Sequence, residues 1–211
     1  MRKKVVILDY GIGNVKSIAN AFFEIGAEPV LSSERSIIME AEALILPGVG
    51  AFQKGMENLE AAKLVEVIQF FVATGKPFLG ICLGMQMLLD ESDEFGARKG
   101  LGLIPGKVRK LEVKNESKEK LPHVSWKGIN EPASGRWKNS LLNETELDTN
   151  VYFVHSFVVV PDQQENILAT ASYGDTEFCA AVKKNNITGV QFHPEKSGKR
   201  GLEMLAEFLN F

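Results

Sequence analysis

The stretch Leu79-Gly80-Ile81-Cys82-Leu83-Gly84-Met85-Gln86 sets one cysteine between two glycines, directly after the apolar run at residues 77–81. Residues 83–90, which follow, read as the first turns of a helix. Strand, sharp turn and helix with a nucleophilic side chain at the turn is the pattern of a nucleophile elbow, and Cys82 occupies the nucleophile position. Glycines two places before and two after Cys82 have a physical purpose. A turn this tight crowds the chain, and a residue without a Cβ lets the nucleophile sit in strained backbone while a substrate comes close. Gly-x-Cys-x-Gly also arises by chance, so the reading depends on whether the chain supplies a base.

Outward from the elbow, the first ninety residues alternate between two kinds of segment. Residues 5–9 are an apolar run ending in an acid, as expected of a buried parallel strand. After Gly11 and Gly13, Asn14 is placed to cap a helix reaching about Ile25, with Val15, Ile18, Ala19, Phe22 and Phe23 at helical spacing and Gly26 as its stop. Residues 29–31 and 43–46 are candidate strands, the latter running into Pro47-Gly48-Val49-Gly50. Helical pattern resumes from about Phe52 and again over residues 61–74, before the strand at 78–81. Such alternation predicts an α/β fold with a mostly parallel central sheet flanked by helices.

Beyond Leu103 the pattern becomes strand-like and turn-rich, predicting an antiparallel β extension. Residues 113–120 read as an exposed charged stretch, and residues 131–150 as a polar surface loop or short helix. Short β-branched or aromatic runs follow at 151–154, 157–160, 167–173, 178–182 and 187–191. The last eleven residues carry Leu202, Leu205, Ala206 and Leu209 on one helical face. With no internal repeat, residues 1–211 read as a single domain.

Composition narrows the classes of function. At 211 residues and 45% hydrophobic content the chain can fill one core, and a formal charge of −3 argues against a nucleic-acid binder. No long apolar segment suggests a membrane span, and the basic start is too short for a signal peptide. Two cysteines, Cys82 and Cys179, make a disulfide scaffold improbable and favour a reducing, cytoplasmic setting. No clustered cysteine and histidine set predicts a metal site, and no cofactor is expected.

A cysteine needs a nearby base to act as a nucleophile at neutral pH. Of His123, His155 and His193, the last is best placed, because it ends a strand and precedes Pro194-Glu195. Pro194 biases His193 toward an extended backbone, where residues two apart point the same way. Glu195 could then orient the His193 ring toward Cys82, completing a nucleophile, base and carboxylate triad. The alternative is a strand-end histidine satisfied by its neighbours. Pro47-Gly48-Val49-Gly50 should reach the same sheet edge, where the N–H of Val49, with that of Leu83, could bind an oxyanion.

Gly80-x-Cys82-x-Gly84-x-Gln86 with a downstream His193-Pro194-Glu195 resembles the triad-type, class I glutamine amidotransferases, whose fold is flavodoxin-like. Asp9-Tyr10-Gly11-Ile12-Gly13-Asn14, Pro122-His123-x-x-Trp126, residues 152–157 and residues 189–197 narrow the likeness to glutaminase subunits of imidazole glycerol phosphate synthases. The resemblance spans essentially the whole chain. It implies Cys82, His193 and Glu195 as catalytic residues, and Gly50, Gln86, Ser156 and Phe157 as the binding site for glutamine. It also implies a heterodimer with a (β/α)₈-barrel cyclase, to which ammonia passes through a tunnel for histidine biosynthesis. Asn14, Trp126, Tyr152 and Lys196 match family positions near that interface, although Trp126 could instead pack in the core and Lys196 be merely solvated.

One segment departs from the family pattern. Members usually have glycine before the tryptophan and asparagine after it, where this chain has Ser125-Trp126-Lys127-Gly128. That leaves open a paralogous subunit feeding ammonia to a cyclase-like partner that aminates sugars for surface polysaccharides. A cysteine peptidase or redox-responsive protein on a similar elbow, and a catalytically idle binding subunit, are the competing classes.

Overall fold

A computed structural model describes residues 2–113 and 119–210, so most of the charged stretch at 113–120 lies outside the described residues. The first part of the chain alternates as expected. It runs β1 (Lys4–Leu8), α1 (Val15–Glu24), β2 (Glu28–Ser32), α2 (Arg35–Glu40), β3 (Ala43–Leu46), α3 (Phe52–Ala61), α4 (Leu64–Ala73), β4 (Phe78–Ile81) and α5 (Leu83–Gln86). The remainder is mostly strand: β5 (Glu91–Ser92), β6 (Arg98–Lys99), β7 (Gly106–Lys110), β8 (His123–Asn130) and β9 (Thr149–His155). Then come β10 (Phe157–Pro161), β11 (Ile167–Tyr173), β12 (Thr176–Lys184), β13 (Ile187–Val190) and the closing helix α6 (Gly198–Phe208).

Strands β2, β1, β3, β4 and β13 lie side by side and all parallel. From β13 the sheet continues antiparallel through β12 to β10 and β7, while β11, β8 and β9 branch from β12. The α/β class and the antiparallel extension are as the sequence predicts. Register matters most at one edge. Leu46 pairs with Gly80 and Val190 with Ile81, so the segments after β3, β4 and β13 leave the sheet together at its carboxyl end. Pro47–Gly50, Cys82 and His193 follow those three strand ends.

Alternation along the strands divides the core. Val5, Ile7, Ala43, Ile45, Leu79 and Ile81 face α1 and α6, where Ile18, Phe22, Met204, Leu205 and Phe208 are buried. Val6, Leu8, Leu44, Leu46 and Phe78 face the opposite layer, with Ile38 of α2, Phe52 and Met56 of α3, and Ile68 and Phe71 of α4. Each fully buried large side chain contributes about 1.5–3 kcal/mol by leaving water, so these two layers hold the strand ends in place.

Four expectations change on contact with the structure. The helix after the elbow stops at Gln86, because the next N–H groups turn to other acceptors. Leu88 and Leu89 bond Met85 O and Gln86 O, three residues back, at 3.1 and 3.2 Å, and Asp90 bonds Gly106 O at 3.1 Å. Leu101, Leu103 and Gly102 donate their N–H groups to Met87 O, Leu88 O and Leu89 O at 2.8, 2.9 and 3.1 Å. Residues 131–148 form turns rather than a polar surface loop or short helix, and 149–150 already belong to β9. The turns bury Trp137, Leu141 and Leu142, with Trp137 Nε1 donating to Leu168 O at 2.9 Å. Helix α6 buries Gly201, Met204, Leu205 and Phe208, with Leu209 buried just beyond it. Of the expected residues, Leu205 and Leu209 thus face the core while Leu202 and Ala206 are only partly buried. Asn14 stands at the start of α1 but makes no side-chain capping bond.

Candidate active site

Cys82 follows the last residue of β4 with φ 55° and ψ −109°, a conformation a side-chain-bearing residue rarely adopts. Its N–H is tied to Val190 O at 2.7 Å and its carbonyl accepts from Gln86 N at 3.1 Å, so neighbouring β13 and the short helix hold the strain. Leu83 is the first residue of that helix, where a backbone N–H has no intrahelical acceptor.

His193 comes to the elbow by a different route from the extended one expected. Strand β13 ends at Val190, and His193 N then donates to Tyr152 O of β9 at 2.9 Å. His193 itself is extended, but Pro194–Lys196 form a turn of 3₁₀ helix. That turn swings Glu195 back, and His193 Nδ1 donates to Glu195 Oε1 at 2.8 Å, with both side chains buried. Acceptance by a carboxylate places the hydrogen on Nδ1 and leaves Nε2 as the reactive nitrogen. Nε2 makes no hydrogen bond to any described residue. Burial works against a charged ring, but the attraction of Cys82 and Glu195 outweighs it and raises the His193 pKa to about 9. These attractions favour a proton on Nε2 when the sulfur beside it is charged.

A cleft of about 270 Å³ opens above Cys82. Every residue the sequence assigns to substrate or oxyanion binding lines it: Val49, Gly50, Leu83, Gln86, Ser156 and Phe157. Tyr10 donates its hydroxyl to Pro47 O and so fixes the entry to the Val49–Gly50 segment. Gln86 uses its amide nitrogen internally, on Phe157 O and Gln191 Oε1, both at 3.1 Å. Its oxygen is what remains to meet a ligand.

The cleft also contains Glu94, which sequence reading missed. Its Oε2 accepts from Phe52 N at 2.7 Å, tying it to the start of α3 just after Gly50. In the sequence Glu94 is one acid among several in a short acidic turn, and nothing local marks it. Only the tertiary fold brings it here.

The family described as Glutamine amidotransferase class-I matches residues 6–210. The chain belongs to that family. An imidazole glycerol phosphate synthase subunit HisH from Geobacter sulfurreducens is 45% identical over 208 residues, covering 97% of this chain and 97% of its own. The subunit of the same name from Lactococcus lactis is 44% identical and covers 98% of each chain. A solved structure titled PurLQS from Thermotoga maritima superposes with TM-score 0.75 at 21% identity, over 100% of this chain and 99% of that one, and so shares the fold. The amidotransferase is thus an enzyme of the glutaminase type, and its close relatives carry the HisH subunit name.

Beneath the cleft the amidotransferase buries two more histidines. His123 and His155 meet at 2.9 Å between Nδ1 and Nε2, and the pair is enclosed by Phe153, Tyr173 and Phe178. Burial lowers the His123 pKa to about 4, with Lys127 adding to the effect. Burial also lowers His155 to about 3, reinforced by the neighbouring histidines against a raising bond to Phe157. Both rings are neutral when folded, whereas an unfolded histidine takes up a proton near pH 6.5. The unfolded chain therefore binds more protons over the window from about 6.5 down to about 4, so stability falls as pH falls through it. The melting temperature is expected to drop by at least about 5 °C across that window. Thermal unfolding at closely spaced pH values checks it, and the drop should shrink in His155→Asn.

The four residues expected near a partner sit outside this cleft on one side of it. Trp126 is 50% exposed, which excludes a core role, and pairs with Tyr152 across β8 and β9 at a ring distance of 6.0 Å. Lys196 places its Nζ 5.8 Å from the Tyr152 ring centre, and the Tyr152 ring lies 6.5 Å from that of His193. Asn14 begins α1, which packs beside the 3₁₀ turn carrying Lys196.

Proposed function

We propose that Cys82 is the nucleophile, His193 its base and acid, and Glu195 the orienting carboxylate of a glutaminase that supplies ammonia to a synthase. The observation that carries this reading is the strained Cys82 at the floor of a cleft closed on one side by the buried His193–Glu195 pair. His193 takes the thiol proton of Cys82 as the sulfur attacks the side-chain amide carbon of glutamine. The N–H groups of Val49 and Leu83 take the developing oxyanion, and His193 gives its proton to the departing ammonia. Water, deprotonated by His193, then attacks the thioester and releases glutamate, which restores the thiol.

Glutamine fits the groups that line the cleft. Glu94 offers a carboxylate and Gln86 an amide oxygen for its α-ammonium, while Gly50, Ser156 and Phe157 border its remaining length. A space of about 270 Å³ suits one amino acid rather than a polypeptide, which disfavours a peptidase.

The acceptor of the ammonia is a (β/α)₈-barrel cyclase that docks over Asn14, Trp126, Tyr152 and Lys196. With it the chain forms an imidazole glycerol phosphate synthase in the cytoplasm, and residues 1–211 act as one glutaminase domain. The HisH names of relatives at 44–45% identity support this partner over the surface-sugar alternative, despite the departure at Ser125–Gly128. Glutamate release should be slow for the isolated chain and rise at least about 10²-fold with such a cyclase and its phosphoribulosyl-formimino ligand. Full activity without the partner overturns partner-gated catalysis, and stimulation only by a sugar-modifying partner overturns the assignment to histidine biosynthesis.

A further inference from the structure

One carbonyl sets the direction of the hydrogen bonds beneath the nucleophile. Phe157 O can only accept, and it takes Gln86 Nε2 at 3.1 Å and His155 Nδ1 at 3.0 Å. The Gln86 atom facing Phe157 is therefore its NH₂ group. The same nitrogen meets the Gln191 side chain at 3.1 Å, so the Gln191 atom facing it must be the carbonyl oxygen. The Gln191 amide nitrogen is thereby turned toward Cys82 Sγ, at 3.7 Å. A flipped Gln191 amide would set two donors against each other. Gln191 is 0% exposed, and its own backbone N–H is held by Ala180 O at 2.8 Å.

We propose that Gln191 is a further catalytic residue, which donates an N–H to the Cys82 sulfur and stabilises the thiolate during attack on the amide. The inference rests on Cys82 being the nucleophile. The opposite side of the sulfur strengthens the assignment. Val154 O lies 3.8 Å from Sγ, where it can accept from a thiol but only repels a thiolate. Gln191 does the reverse, because a donor bonds a charged sulfur more strongly than a neutral one. Ionisation therefore releases the sulfur from Val154 and tightens it on Gln191. In a buried site such a fixed dipole is not diluted by water. His193 moves the proton; Gln191 carries no proton in the reaction and holds the charge left behind.

The test is the rate of Cys82 alkylation by iodoacetamide against pH, in the intact chain and in Gln191→Met and Gln191→Glu. Methionine keeps the length without the donor. Glutamate keeps the shape and the acceptor for Gln86 but puts negative charge beside the sulfur. Cys179 is buried, with its thiol pushed well above the usual range by that burial, and Cys82→Ala measures any residual background. The alkylation profile should move upward by about one pH unit in the methionine variant and further in the glutamate variant. With the partner present, kcat for glutamine hydrolysis should fall roughly 10- to 100-fold with little change in KM. Profiles that coincide with wild type in folded variants overturn the proposal. If the methionine variant does not fold, the isosteric glutamate variant decides alone. Glutamine hydrolysis surviving in Cys82→Ala would instead remove the nucleophile assignment, a result separate from unmoved profiles around a reactive Cys82.

Discussion

Cys82→Ala is expected to lower glutamine hydrolysis by about 10⁴-fold or more, because it removes the atom proposed to attack the amide. His193 and Glu195 cannot replace it; in the proposed mechanism they supply proton transfer and orientation to a bond-forming atom that would be gone. The fold should tolerate the change. Alanine removes one sulfur from a site that is 7% exposed and meets the same backbone strain at φ 55° that cysteine already meets. The melting temperature should stay within a few degrees and docking of a cyclase partner should be unaffected, since the residues proposed to face it lie outside the cleft. Glutamate release and trapping of labelled glutamine as a thioester are the measurements. Retained hydrolysis, or a trapped adduct in the variant, refutes the role given to Cys82.

The second large effect is expected at Gly84. A Cβ there would stand 1.9 Å from Leu46 O, and the neighbour is backbone of a central strand that cannot swing away. Gly84→Ala must therefore push the short helix off the end of β3, displacing Cys82 and Leu83 with it. The cost should exceed about 3 kcal/mol, as overpacking against backbone does at its upper end. That corresponds to a fall in melting temperature of about 10 °C for a domain of this size, with loss of glutaminase activity. Gly75→Ala is the contrast. It has φ 78° but nothing within 4 Å of the added carbon, so only the milder backbone strain applies. Thermal unfolding of the two variants separates steric packing from glycine's backbone freedom. Equal melting temperatures would mean that the elbow is not packed as described.

Much of the site was legible because it is built from local signals repeated at one sheet edge. The Gly80–Gly84 frame marks a turn too tight for side chains, the Pro47–Gly50 run marks a strand end, and His193-Pro194-Glu195 carries its own orienting acid. Parallel topology then places three strand ends together without further information. Glu195 reached His193 by a 3₁₀ turn rather than an extended strand, yet the contact was the same, because a side chain two residues on can return by either route.

Other features were not written locally. Glu94 and Gln191 look like any acidic turn residue and any polar residue after a strand. Their roles depend on what the fold sets against them: Phe52 N for one, Gln86 and the Cys82 sulfur for the other. Trp137 sits in a polar segment whose composition predicts surface, and its burial follows from Leu168 offering a carbonyl across the sheet extension. The helix after the elbow ended early because its last turn tightened and the Asp90 N–H went to Gly106 O, a partner distant in sequence.

By itself the sequence determined the class of fold, the strand-turn-helix that carries Cys82 and the histidine and acid that end up beside it. Those follow from periodicity, glycine placement and short-range spacing, which act within a few residues. Tertiary structure alone decided which groups face the sulfur and which line the cleft, because hydrogen-bond direction and proximity are set by packing between segments far apart in the chain. Phe157 O, itself unremarkable in sequence, orients Gln86 and through it Gln191 only when strand β10, helix α5 and the segment after β13 have met.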